Sequence, residues 1–169
     1  MIKNRVIKKN INNMTKTLRN RSVIVKPVQK VAILNNPQSN LTLQNLQYLE
    51  KALGLNSSSF EIFTIKERKD NYNELRGIIA TIDSFNAFGK IKSETISAFL
   101  EREYDLLIDF TNVSNIVEKY FSLAIKANFR VGYSNPEEIY DMMVLVEEGN
   151  IKRFIDEMIR YLKIIGLSK

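Results

Sequence analysis

The sequence predicts an α/β protein: a three-layer, Rossmann-like domain with a mostly parallel sheet, preceded by a basic amphipathic helix. Three observations carry this. From residue 30 onward, short apolar β-favouring runs alternate with helical-period segments of about ten to fifteen residues, the pattern of strands joined by helical crossovers. An apolar fraction of 44% over 169 residues is enough for one core. Before residue 30 the pattern differs: apolar positions Ile7, Ile11, Met14 and Leu18 step by four, three and four, and the remaining positions are amides, hydroxyls and cations. The chain therefore divides into a helical extension and connector, 1–29, and a Rossmann-like domain, 30–169.

In order, the spacing predicts a helix over Ile2–Asn20, then an extended connector, VIVKPVQK, where Pro27 disfavours helix at Lys26. KVAIL (Lys30–Leu34) reads as a strand and NNPQSN as its loop. Leu41, Leu43, Leu46, Leu49 and Leu53 mark a helix that Gly54 stops. SFEIFTI (Ser59–Ile65) is a second strand, KERKDNYNEL a polar stretch, and RGIIATID (Arg76–Asp83) a third short strand whose pattern is also open to helix. Ser93 is placed to cap a helix, with Glu94 in its first turn. YDLLIDF (Tyr104–Phe110) is the strongest buried strand, followed by the helical stretch NVSNIVEKYFSLAIKAN. FRVGYS and YDMMVLV (Tyr140–Val146) are two more strands. The closing helix, NIKRFIDEMIRYLKIIG, carries an apolar stripe of Ile151, Phe154, Ile155, Met158, Tyr161, Leu162 and Ile165.

Charge is unevenly placed. The first 49 residues hold nine Lys/Arg and no acid, Glu50 being the first, so the net charge of +6 is a +9 head on a −3 body. Such asymmetry points to a polyanionic partner, because Lys and Arg on phosphates release counterions. The basic start is followed by INNMTKTLRN rather than an apolar stretch, so a secretory signal is not expected and a cytoplasmic protein is. No run of about eighteen apolar residues exists to span a bilayer. With no Cys and no His, thiolate and imidazole chemistry are absent, and with them Ser-His pairs and the usual zinc sites. The expectation is a protein with no catalytic residues, no metal, no cofactor and no small-molecule substrate.

Ligands of open α/β sheets sit beyond the carboxyl ends of the strands, so NNPQSN, TNVSN after Phe110 and GYSNPEE after Val131 are the loops to inspect. None carries a phosphate-binding glycine motif, and the six glycines are scattered singly. Asp109 is the best single catalytic candidate, near the end of the strongest strand and close to any vestigial nucleotide site. A role in capping the next helix or anchoring the loop outweighs that reading. Asp105 and Asp109 would stand roughly 13 Å apart on a strand, too far for a carboxylate pair acting on one bond. Glu137–Glu138 and Glu147–Glu148 read as solvated charges. Tyr120, Phe121, Phe154 and Tyr161 fall on helical stripes and read as core.

Across YDLLIDF, FRVGY, FGKI (Phe88–Ile91), the closing helix and the basic head, the chain resembles a small family of basic, Rossmann-like bacterial proteins of unknown function. The resemblance spans essentially the whole chain and implies ribosome association, on the large subunit. The strand-and-VGY pattern is also similar to the N-terminal half of heptosyltransferase-like glycosyltransferases, whose donor site lies mainly in a second half that is not expected here.

The expected function is thus non-enzymatic RNA binding, as a ribosome-associated protein or large-subunit component. The expected partners are rRNA and neighbouring ribosomal proteins, and the contacts are Lys3, Arg5, Lys8, Lys9, Lys16, Arg19, Arg21, Lys26 and Lys30. The alternatives are a peripheral membrane-surface protein, through the same amphipathic helix, and a degenerate glycosyltransferase-like or nucleotide-binding domain. No Trp, Phe or Tyr lies in the head, which weighs against the membrane, and none interleaves with its cations, which makes RNA contact a matter of shape and charge.

Overall fold

The computed structural model describes residues 2–67, 77–133, 139–147 and 149–168. Its elements are α1 (Ile2–Arg19), β1 (Val31–Asn35), α2 (Leu43–Leu53), β2 (Phe60–Ile65), β3 (Ile78–Ala80), α3 (Glu94–Glu101), β4 (Glu103–Asp109), α4 (Ile116–Ala124), β5 (Lys126–Tyr133), β6 (Met142–Val144) and α5 (Ile151–Ile164). The six strands form one sheet in the order β3-β2-β1-β4-β5-β6, and every pairing is parallel. This is the doubly wound order: the chain leaves β1 toward β2 and β3, then returns to lay β4 on the other side of β1.

Alternation along the strands builds two cores. Val31 and Ile33 pack with Leu46 and Leu49 of α2 and with Phe154, Ile155 and Met158 of α5. Ala32 and Leu34 pack on the opposite face with Ile96 and Phe99 of α3 and Val117 and Phe121 of α4. The helices start on side-chain caps that answer their unpaired amides. The Ser93 hydroxyl accepts from the Ile96 amide at 3.3 Å, Thr42 and Asn45 form a capping box, and Asn115 and Asn150 cap α4 and α5. Gly54 closes α2 in the left-handed region at φ 66°.

The N-terminal helix is part of this body. Ile7 and Ile11 of α1 are 0% and 4% exposed and join the core beneath α4. Gly89 lets the 85–91 turn approach closely: at φ 71°, a Cβ there would stand 3.1 Å from Val6.

The sheet bears out the mostly parallel α/β expectation and is parallel at every pairing. Two expectations need correction. The segment Lys126–Asn128, expected to end a helix, opens β5, because Ile125 is buried and Lys126 and Ala127 pair with Glu103 and Tyr104 of β4; sheet pairing overrides local propensity. On α5, Tyr161 and Ile165 are 45% and 39% exposed: Tyr161 lies at the margin of the arc centred on Met158 and Leu162, Ile165 lies past the helix end, and Ile159 is buried instead. Arg76, Glu137–Glu138, Glu148 and most of KERKDNYNEL lie outside the described residues.

Candidate functional site

Where β1 and β4 part at their carboxyl ends, the first two loops singled out from the sequence meet, together with Tyr133 at the start of the third. Asn36, Ser39, Phe110, Asn112, Ser114 and Tyr133 line a cavity of about 170 Å³. A cavity of this order holds a single ring, not a dinucleotide. The crevice is also bridged. The Glu118 carboxylate, 3% exposed, accepts from Asn36 Nδ2 at 2.7 Å and from the Ser114 amide at 2.8 Å, tying the loop after β1 to the loop after β4.

Asp109 faces away from this cavity's lining and is fully buried. Its carboxylate accepts four hydrogen bonds: from the Thr111 amide at 2.9 Å, Thr111 Oγ1 at 2.6 Å, Ser122 Oγ at 2.6 Å and the Tyr140 hydroxyl at 2.8 Å. Burial pushes the Asp109 carboxyl up, and these donors pull it back only in part. Burial and the neighbouring carboxylate push the Tyr140 hydroxyl well above its ordinary range. Gly132 makes the arrangement possible, since a Cβ there would fall 2.3 Å from the Tyr140 ring. The loop-anchoring role is the one Asp109 performs, and Asp105 lies at the opposite end of β4.

Arg130 is the charge the sequence did not single out. It is 1% exposed, and its guanidinium donates to the carbonyls of Ile125 at 2.9 Å and Ile139 at 3.0 Å, and to that of Ser122. Those from Ser122 and Ile125 cap the carboxyl end of α4, where a cation meets the negative end of the helix dipole. Burial, with Arg21 nearby, lowers its pKa to about 10, so it stays charged at neutral pH. Neither Arg130 nor Glu118 stood out in the sequence: Arg130 meets main-chain carbonyls, which no side-chain motif marks, and Glu118 bonds Asn36 across 82 positions. Among the described residues no group of three His, Cys, Asp or Glu could hold a metal ion.

The nine head cations do not share one setting. At 3.6 residues per turn, Arg5, Lys8, Lys9, Lys16 and Arg19 fall within an arc of roughly 100° on the side of α1 away from Ile7 and Ile11, and all five are exposed. Arg5, Lys8, Lys9 and Lys16 have no acidic partner among the described residues. Lys3 is half-buried on the inner flank.

Arg21 and Lys26 fasten the connector instead. Arg21 pairs with Asp141 and donates to the Asn128 carbonyl at 2.5 Å; Lys26 pairs with Asp105 at 2.6 Å. Asp105 also accepts from the Gln29 and Lys30 amides at 2.9 Å each. The Lys30 side chain stands exposed at the amino edge of the sheet, near Lys126 and Arg102, two cations that the sequence alone did not connect with the head. No helix among the described residues is long and apolar enough to cross a membrane.

A family model described as a family of unknown function (DUF6913) matches residues 3–165. No curated protein and no solved structure matches the chain.

Proposed function

We propose that this chain, which belongs to the DUF6913 family of unknown function, is a non-enzymatic RNA-binding protein that holds structured RNA along the outer face of α1. One observation carries the reading: Arg5, Lys8, Lys9, Lys16 and Arg19 share one exposed face of a helix whose apolar face is already buried in the domain. A membrane-surface helix needs that apolar face for the lipid. Here Ile7 and Ile11 are committed to the core, which leaves charge as the means of binding. A rigid helix of this length, about 27 Å at 1.5 Å per residue, lays its cations along a phosphate backbone without a backbone ordering cost on binding. In the finer form of the proposal the RNA is ribosomal and the protein a companion or component of the large subunit.

Removing residues 1–29 would strip Ile7 and Ile11 from the core, so charge neutralisation is the cleaner test. The full chain and a variant carrying Arg5→Gln, Lys8→Gln, Lys9→Gln and Lys16→Gln are titrated with an rRNA-derived hairpin between about 50 and 200 mM salt. With five phosphates engaged, the parent is expected to show a log–log salt slope of about −3.5 to −4.5, and the variant a slope shallower by about 3. Equal affinity and slope for the two proteins sinks the RNA reading. Sedimentation of lysate through sucrose tests the ribosomal form: the protein is expected with the large subunit, and recovery at the top of the gradient removes that form.

A further inference from the structure

At the end of the sheet opposite Asp109, the first residues of β4 and β5 open into a groove of about 1170 Å³. One wall is the second half of α1 with the connector, presenting Met14, Leu18 and Ile24; the other is the end of α4, where the half-buried Ala124 lies between the buried Leu123 and Ile125. Lys30 and Lys126 stand on its rim, exposed and without an acidic partner among the described residues. Its polar lining includes the exposed side chains of Asn13 and Gln29. On α1, the wall residues Asn13 and Thr17 adjoin the arc that carries Lys9 and Lys16, so a polyanion following the basic face passes the groove's mouth.

An uninterrupted duplex cannot use such a groove, since its bases stay stacked and only its phosphates reach the rim. An unstacked nucleotide can. Apolar side chains on two walls can hold the faces of a base, the Asn13 and Gln29 amides can take its edge, and rim lysines can meet the adjoining phosphates. We infer that the groove receives an unstacked nucleotide from the RNA held on α1, so that the protein prefers bulged or looped RNA to uninterrupted duplex. This rests on the RNA-binding reading above.

The test uses the full chain with two hairpins of the same stem, one uninterrupted and one carrying a single bulged nucleotide. Thr17→Phe and Ala124→Phe each place a ring in the groove, from opposite walls. Thr17 is exposed, so Thr17→Phe keeps the fold even if Ala124→Phe does not. The parent is expected to bind the bulged hairpin about tenfold more tightly. Either ring is expected to abolish that preference while leaving the uninterrupted hairpin bound as before, and a photoreactive thiouridine at the bulge is expected to crosslink to groove residues in the parent alone. Equal binding of the two hairpins by the parent overturns the inference and leaves the RNA reading standing. Retention of the preference in a folded Thr17→Phe variant also overturns it. Binding of neither hairpin removes the reading and the inference together.

Discussion

Asp109, Glu118 and Arg130 at the inner end of the fold and the cations on the outer face of α1 are both unusual concentrations of charge, and they mean opposite things. The first three are 0%, 3% and 1% exposed, and each is held by several protein partners, all of them buried or half-buried except Ser114. Burying a charge is tolerable only when it is hydrogen-bonded in this way, so folding alone accounts for those residues. Folding does not account for Arg5, Lys8, Lys9 and Lys16, which are exposed, of one sign, and unpaired among the described residues. Like charges four and three apart on a helix even repel modestly. A perturbed buried group is therefore weaker evidence of function here than an ordinary surface group with no internal role.

The comparison breaks most visibly at Asp109. Asp109→Ala leaves the Ser122, Thr111 and Tyr140 hydroxyls without their acceptor and Arg130 without one of its balancing charges, and is expected to cost about 4 kcal/mol in urea unfolding. RNA affinity below the transition is expected to stay unchanged. A cost below about 1 kcal/mol would deny the anchoring role and return Asp109 to the list of catalytic candidates.

The next largest effect sharpens the status of α1. If the helix is part of the domain, Ile7→Ala is expected to cost about 3 kcal/mol, whereas Ile2→Ala, at a position 69% exposed, stays within about 0.5 kcal/mol. Both keep the full set of cations. A negligible cost for Ile7→Ala would make α1 a detached arm and would remove the ground for preferring RNA over a lipid surface.

How much of this was legible depends on the range of the interactions. The head helix, the Ser93 cap, the Gly54 stop and YDLLIDF depend on neighbours within a few residues, and spacing revealed them. The end of α4 was misplaced because Lys126 and Ala127 answer to Glu103 and Tyr104, more than twenty positions earlier. The loops after β1 and β4 at the carboxyl edge were found from the general rule for parallel sheets, whereas residues 134–138 of the third lie outside the described residues; that the crevice is bridged by Glu118 was not found, since its contact with Asn36 spans 82 positions. The roles of Arg21 and Lys26 were hidden for the same reason. In a list of nine cations nothing marks the two that meet Asp141 and Asp105. The groove, assembled from α1, the connector, α4 and two strand ends, had no local signature at all.

The smallest expected effect is also the most diagnostic for the connector, because Asp105 and Asp109 lie on one strand and titrate oppositely. Burial pushes the Asp105 carboxyl up, but the Lys26 ammonium and the amides of Lys30 and Gln29 outweigh it and hold the carboxyl below its ordinary range. The unfolded chain then binds the Asp105 proton more readily, near a pKa of about 3.9. Its stabilisation is complete above that value and is lost as pH falls through the lower folded one. Asp109 runs the other way. With its folded carboxyl raised, acidification from neutral pH adds stability until the unfolded value is reached. Unfolding free energies of parent and Asp105→Asn from urea titration are therefore expected to differ by about 1 kcal/mol at pH 7, to begin converging below about pH 4 and to meet once pH has fallen through the lowered folded value, where the parent has lost the ion pair. Asp109→Asn is expected to flatten only the limb above that pH. Superimposable profiles for parent and Asp105→Asn would mean that Lys26 and the two amides do not hold this carboxylate. Lys26 would then belong with the outward cations as a candidate phosphate contact, and the division between structural and functional charge would have to be redrawn at that residue.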